Sequence, residues 1–190
     1  MEVGLGHSLG LVSNEISTVL GSVIRTDPAA LGRVSDLVAD APRVFVLGAG
    51  RSGLALQMTA MRLMHLGLDV HVVGETTTPA ISRDDLLLVA SGSGTTSGIV
   101  RAAETAVGVG AKVATITTDG SSPLAALSGP ATIVVPAAGK LDRSGAASAQ
   151  YAGSLFEQAV VLIGDALFHA LWARSGQDAD DLWPRHSNLE

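Results

Sequence analysis

The stretch RVFVLGAGRSG, Arg43 to Gly53, decides the fold. Four apolar residues in a row, Val44 to Leu47, run straight into glycines at 48, 50 and 53. A short, continuous apolar run of this kind reads as a strand buried on both faces that turns at once into a helix. The three glycines stand at G-x-G-x-x-G spacing, the fingerprint of a dinucleotide-binding turn. An NAD site also needs an acid about 20 positions further on, at the end of the next strand. Glu75, closing LDVHVVGE, meets that requirement. Taken alone, the turn is open to three readings: NAD, some other phosphate ligand, or a plain tight turn in which glycine permits close packing.

Four further apolar runs follow: LDVHVVG (68–74), DLLLVAS (85–91), KVATITT (112–118) and ATIVVPA (131–137). Between them lie helical patterns, SGLALQMTAMRLMHLG, TTSGIVRAAETAVGVG and the shorter SPLAALSG. Apolar runs alternating with helices predict parallel strands joined by right-handed crossovers. The expected fold is therefore α/β, a three-layer sandwich around a five-stranded parallel sheet. Ahead of it, Leu11 to Ile24 and the segment from Asp27 carry helical spacing, with Asp27 as N-cap and Pro28 in the first turn. A last helix is expected over about Ala149 to Arg174, after a Gly- and Ala-rich loop (139–147), and the tail DLWPRHSNLE follows. No linker divides the chain, so residues 1–190 read as one domain.

Composition narrows the function. With 190 residues, 47% hydrophobic and 16% charged, the chain is expected to fold around a substantial core. A net charge of −6 and dispersed basic residues argue against a nucleic-acid partner. There is no cysteine, so thiolate metal sites and disulfides are excluded, and the five histidines show no tight metal-ligand spacing. The start MEVGLGHSLG lacks the pattern of a signal peptide, and uninterrupted apolar runs such as AVVLIG are far too short to span a bilayer. The expectation is a soluble, cytoplasmic protein with no membrane partner. Aromatics at 3% leave little surface for stacking a flat cofactor, a mild count against NAD.

A second loop, SGSGTTSG from Ser91 to Gly98, directly follows the third strand. Ser91, Ser93, Thr95 and Thr96 supply four hydroxyls, while Gly92 and Gly94 let backbone approach closely. The helix starting there adds unpaired N–H groups, and together these can hold a phosphate dianion without a lysine. The competing explanation is an N-cap with spare serines. A dinucleotide fold has no need of this second cradle, so the two loops together suggest a small phosphorylated molecule.

On these residues the chain resembles the sugar isomerase (SIS) domain family. The likeness runs through AMRLMHLG, VGETTTP, DDLLLVASGSG and GSLFEQ, and the pairing of GETTTP with RHSNLE is similar to its 6-phospho-3-hexuloisomerase branch. One local departure is at Tyr151 and Ala152, where a proline and a larger apolar residue are expected. The resemblance implies a flavodoxin-like SIS domain that interconverts a 3-hexulose 6-phosphate and fructose 6-phosphate through a cis-enediolate. It implies no cofactor and no metal. Such chemistry needs a base at carbon, acid–base help at two oxygens and a phosphate anchor. The alternatives are another SIS sugar-phosphate isomerase, or a sugar-phosphate sensor that needs the cradle and no base.

By the same resemblance Glu157 is the base. Its own pattern, Ser154-x-x-Glu157, equally fits a capping box or a first-turn acid facing the helix dipole. Apolar neighbours Leu155 and Phe156 would raise its pKa and the helix N-terminus would lower it. His186 in PRHSNLE is the proton carrier, in its own site or a neighbouring subunit's; the plain alternative is a solvated tail histidine. Gly50, Ser52, Ser91, Gly92, Ser93, Gly94, Thr95 and Thr96 are expected to hold the phosphate. Arg51 pairs with phosphate or a sugar hydroxyl, or makes a surface ion pair. Glu75, Thr76 and Thr77 are expected to line the sugar end. The family likeness also implies a homo-oligomer, dimer or tetramer. The N-terminal helices (about 1–40) and the tail (about 176–190) are the expected contacts.

Overall fold

The apolar run after Arg43 forms strand β1 (Val44–Gly48), the centre of a five-stranded sheet. The structure, a computed structural model, describes residues 4–142 and 144–189. Beside β1 lie β2 (Val70–Val72), β3 (Leu86–Ala90), β4 (Lys112–Thr117) and β5 (Thr132–Val134), in the order β2-β1-β3-β4-β5. Every pairing is parallel. This is the flavodoxin-like doubly wound order, whose topological switch point falls between β1 and β3.

Strand side chains alternate between two layers, as the pleat requires. Val44, Val46, Leu86 and Leu88 face a layer made by α1 (Leu5–Thr26), α2 (Pro28–Asp40), α3 (Gly50–Leu66) and α6 (Ser154–Ser175). Phe45, Leu87 and Val89 face α4 (Ser97–Gly108) and α5 (Pro123–Ser128) on the other side. The predicted three-layer sandwich is the observed one.

Helices α3 and α6 set the geometry of everything that follows. Arg51 meets Glu157 at one end, Thr59 meets Gly164 midway, and Gln177 just beyond α6 reaches the carbonyl of Leu66 at the other. The two helices therefore run parallel, with both N-termini at the carboxyl edge of the sheet. A methyl group on Gly164 would overlap Thr59 Oγ1 and stand 3.1 Å from Thr59 Cβ, so this glycine sets how closely the helices approach.

Two expectations need correction. The last helix begins at Ser154 and not near Ala149, because Ala152 takes a left-handed conformation (φ 50°) and Gly153 becomes the N-cap. The second strand shrinks to Val70–Val72, as an edge strand with one ladder partner. The end of the chain is folded. Asp178 caps a short helix α7 (Ala179–Leu182), a 3-10 turn follows (Trp183–Arg185), and Leu182 is buried. Although no uninterrupted apolar run suffices, α6 is long and apolar enough by length and composition to cross a membrane. Here its Leu155, Phe156, Ala159, Val160 and Ile163 join the core beside the sheet.

Candidate functional site

At the switch point the loops leaving β1 and β3 lie side by side. The first turns sharply because Gly48 and Gly53 face each other. A Cβ on Gly48 would lie 2.8 Å from Gly53 N, and one on Gly53 2.6 Å from Gly48 O. Gly50 takes φ 57°, left-handed space open to glycine. This places Ser52, buried, in the first turn of α3, while Arg51 projects into solvent.

The second loop is braced from β4. Thr118 donates to the carbonyl of Gly92 through both its N–H (3.0 Å) and its hydroxyl (2.8 Å), and Thr117 adds a third bond at 3.1 Å. Gly94, at φ 63°, passes so close to Ser122 that any Cβ would overlap the Ser122 hydroxyl. Within the loop, Ser91 Oγ and Thr96 Oγ1 are 3.0 Å apart, and Ser93 Oγ accepts from Thr95 N–H and Oγ1–H at 3.3 and 3.0 Å. Ser91 is buried, whereas Ser93, Thr95 and Thr96 are open to solvent. Thr96 is the N-cap of α4 by position, yet its side chain makes no capping bond. The spare-serine explanation thus fails for this helix, and the hydroxyls bond only to each other and their own loop.

Helix α6 joins the two loops. Phe156 in its first turn packs on Gly92, and Glu157 Oε2 lies 2.5 Å from Arg51 Nε. The capping box read from Ser154 and Glu157 does not form: Gly153 is the N-cap, and the Glu157 carboxylate goes to Arg51. Helices α3, α4 and α6, which converge here, all lack side-chain caps, whereas Asp27, Ser122 and Asp178 cap α2, α5 and α7. Three uncapped helix starts give a positive edge suited to an anion. The arrangement offers a seat for a phosphate, a half-buried carboxylate beside it and a guanidinium between the two.

The structure thus gathers Gly50, Arg51, Ser52, Ser91 to Thr96 and Glu157. Glu75, Thr76 and Thr77 stand at the carboxyl end of β2 on the same edge, all exposed. The turn there is held instead by Thr78, whose hydroxyl donates to Val72 O at 2.5 Å. His186 is elsewhere. Its ring stacks on His65 (centroids 4.0 Å apart) and on Trp183 (4.7 Å), and Arg185 ties the tail to the His65 carbonyl at 3.1 Å. His65 is in the last turn of α3, about 22 Å along the helix from Gly50. His186 is therefore no solvated tail residue, and it is out of reach of its own chain's Glu157. Burial first, then the His186 and Arg62 charges, push the His65 pKa down. His65 plays a structural part here, as the seat of the tail. Among the described residues no three His, Asp or Glu side chains cluster as a metal site. An apolar cavity of about 260 Å³ between α1, α2 and α6 offers no charged group to orient a sugar.

Fold and loops together define a doubly wound α/β domain with an anion-accepting edge at its switch point. The model of the SIS domain family matches residues 37–160, and the chain belongs to that family. It is 52% identical to the 3-hexulose-6-phosphate isomerase of Mycobacterium gastri, over 97% of this chain and 90% of that protein. It is 35% identical to the enzyme of the same name from Bacillus subtilis, over 83% and 85%. A Methanococcus jannaschii crystal structure, which infers the function 3-hexulose-6-phosphate isomerase for its protein, superposes with TM-score 0.80 at 30% identity over 96% and 99% of the two chains. The dinucleotide reading of the Gly-rich turn gives way to membership in this family.

Proposed function

We propose that this protein is an isomerase that interconverts 3-hexulose 6-phosphate and fructose 6-phosphate. The observation that carries the reading is the Glu157 carboxylate at the rim of the hydroxyl-lined loops, held there by Arg51. With phosphate seated on Ser52, Ser91, Ser93 and Thr96 and the uncapped helix starts, the sugar extends toward Glu157. From fructose 6-phosphate, Glu157 takes the proton on C3, the C3–H electron pair forms the C2–C3 double bond, and the C2 carbonyl oxygen becomes an enediolate oxygen. Return of that proton to C2, with loss of the hydroxyl proton at O3, leaves the carbonyl at C3. Arg51 places a fixed positive charge where the enediolate gathers negative charge. Glu75, Thr76 and Thr77 line the far end of the sugar.

Proton transfer between O2 and O3 falls to His186 of a second copy. Along α3, Leu54, Met58 and Met61 make an exposed apolar stripe at i, i+4 and i+7, between Arg51 at one end and the docked tail at the other. Trp183, 69% exposed, continues the stripe over His65. Pairing two such faces antiparallel about a two-fold axis covers both stripes. It also carries each tail to the other copy's Arg51 and Glu157, a distance along α3 that one chain cannot span. This makes a cytoplasmic homo-oligomer the working form, with the N-terminal helices and the tail adding contacts.

Fructose 6-phosphate carrying ¹³C at C2 tests the reaction. The label should move from the hemiketal C2 shift of fructose 6-phosphate to the shift of a secondary-alcohol carbon adjacent to a ketone at C3. A label appearing in an aldose would reject the reading. Mixing inactive Glu157→Gln with inactive His186→Asn tests the shared site: activity should return to about a quarter of wild type through mixed dimers, and no recovery on mixing refutes the contribution in trans.

A further inference from the structure

The loop from Val135 to Gly153 carries the chain from β5 to the helix that bears Glu157, and it is held by a residue far away in sequence. Glu15, on α1, accepts three hydrogen bonds from it. Its Oε2 takes the Ser148 hydroxyl at 2.7 Å and the Gln150 amide at 3.0 Å, and its Oε1 takes the Ala149 N–H at 2.8 Å. Ser148 Oγ in turn accepts the Gln150 N–H at 3.0 Å, which leaves its own hydrogen for Glu15. Gln150 Oε1 then accepts Gln158 Nε2 at 2.8 Å. Gln158 is the next residue after Glu157. An unbroken relay thus runs from α1 through the loop to the first turn of α6.

All three groups on Glu15 are donors, so only an acceptor with no hydrogens satisfies the position. The Ala149 amide first, then Ser148 and Gln150, hold the Glu15 carboxyl below the usual carboxylate range despite its burial. The loop needs such a hold. Two residues after Gln150, Ala152 sits at φ 50°, a conformation that costs an alanine energy and persists only where its surroundings impose it. That turn fixes where α6 begins, and so where Glu157 points.

We propose that Glu15 is a positioning residue for the isomerase reaction, setting the angle and register of the helix that carries the base. This rests on the assignment of Glu157 as that base. The hydroxyls that seat the phosphate lie on loops braced separately, by Thr117, Thr118 and the Gly48–Gly53 contact, so substrate affinity depends far less on Glu15 than turnover does.

The test is Glu15→Gln, equal in shape, whose NH₂ meets donors where an acceptor is required. It should lower kcat about tenfold or more, given how steeply rate falls with misplacement of a catalytic group. KM for fructose 6-phosphate should stay within about twofold, on the same separation of binding from chemistry. Adding Gln150→Glu should restore much of the loss, because the new carboxylate accepts both from the amide introduced on α1 and from Gln158. Hydrogen exchange at the Ala149 and Glu157 amides should quicken in the single variant and slow again in the double. A kcat unchanged while only thermal stability falls, or KM rising with the loss of kcat, overturns the proposal. Wild-type protein without turnover would count against the isomerase reading alone, and the exchange rates would still decide for or against the clamp.

Discussion

Substituting Gly164 by alanine tests whether the parallel contact of α3 and α6 is what brings Arg51 to Glu157. The added methyl would overlap Thr59 Oγ1 and stand 3.1 Å from Cβ and 3.2 Å from Cγ2 of the same residue. Rotating χ1 moves Oγ1 and Cγ2 but not Cβ, so no rotamer of Thr59 clears the contact and the helices must part. Overpacking of a fitted core costs up to about 3 kcal/mol. Alanine in a helix interior returns about 1 kcal/mol relative to glycine. The clash wins, leaving about 2 kcal/mol of destabilisation, or roughly 4–8 °C in Tm for a chain of this size. Thr59→Ala alone loses a buried methyl and a weak bond to the Ala55 carbonyl (3.3 Å), costing about 1 kcal/mol. In the double variant the overlapping oxygen is gone, and the two effects should couple favourably by at least about 1 kcal/mol. The assay is thermal unfolding of wild type, both single variants and the double variant, with kcat measured on each at 25 °C. A Gly164→Ala protein as stable as wild type, or a double variant showing the plain sum of the two losses, would refute the reasoning.

Gly94→Ala should raise KM for fructose 6-phosphate at least about tenfold, because φ 63° and the Ser122 hydroxyl leave no place for a Cβ in the phosphate loop. Gly98→Ala, four residues on and open on all sides, is the control and should leave KM unchanged. At the opposite edge of the sheet, Asp85 is buried against Arg43 at 2.6 Å. Burial alone pushes its pKa up, but bonds from Arg43 and Ser82 and the Arg43 charge bring it below the ordinary value. A carboxylate depressed in the folded state contributes stability above its unfolded pKa of about 3.9 and loses it as pH falls through the folded value. Arg43→Met, which strands that charge, should lower Tm at pH 7. The gap in Tm from wild type should close as pH drops below about 4, the unfolded carboxylate value. A gap that stays constant between neutral pH and about pH 3, below that carboxylate value, contradicts this.

The sheet was readable because strands buried on both faces must be apolar throughout, and Val44–Leu47 and Leu86–Ala90 leave no other choice. The two phosphate loops were readable because local chemistry, glycine and hydroxyl groups at a strand end, defines them. The fate of Glu157 was not. Ser154-x-x-Glu157 fits a capping box locally, and only the parallel packing of helices far apart in the chain delivers Arg51 to it. The start of α6 was misplaced for a similar reason. Ala149 to Gly153 has ordinary helical composition, and what keeps it out of the helix is Glu15, 134 residues before Ala149. The docking of the tail on His65 is a tertiary fact that the local stretch DLWPRHSNLE does not carry.

Proton NMR of fructose 6-phosphate in D₂O, with wild type and with Glu157→Gln, tests the central assignment most directly. The account predicts that wild type exchanges the C3 proton for deuterium while C1 keeps its protons. Glu157→Gln should abolish that exchange and still bind the sugar phosphate. Exchange at C1 would mean an aldose–ketose isomerase. Binding without exchange at any carbon in wild type would mean a sugar-phosphate sensor, and C3 exchange undiminished in Glu157→Gln would take the base away from Glu157.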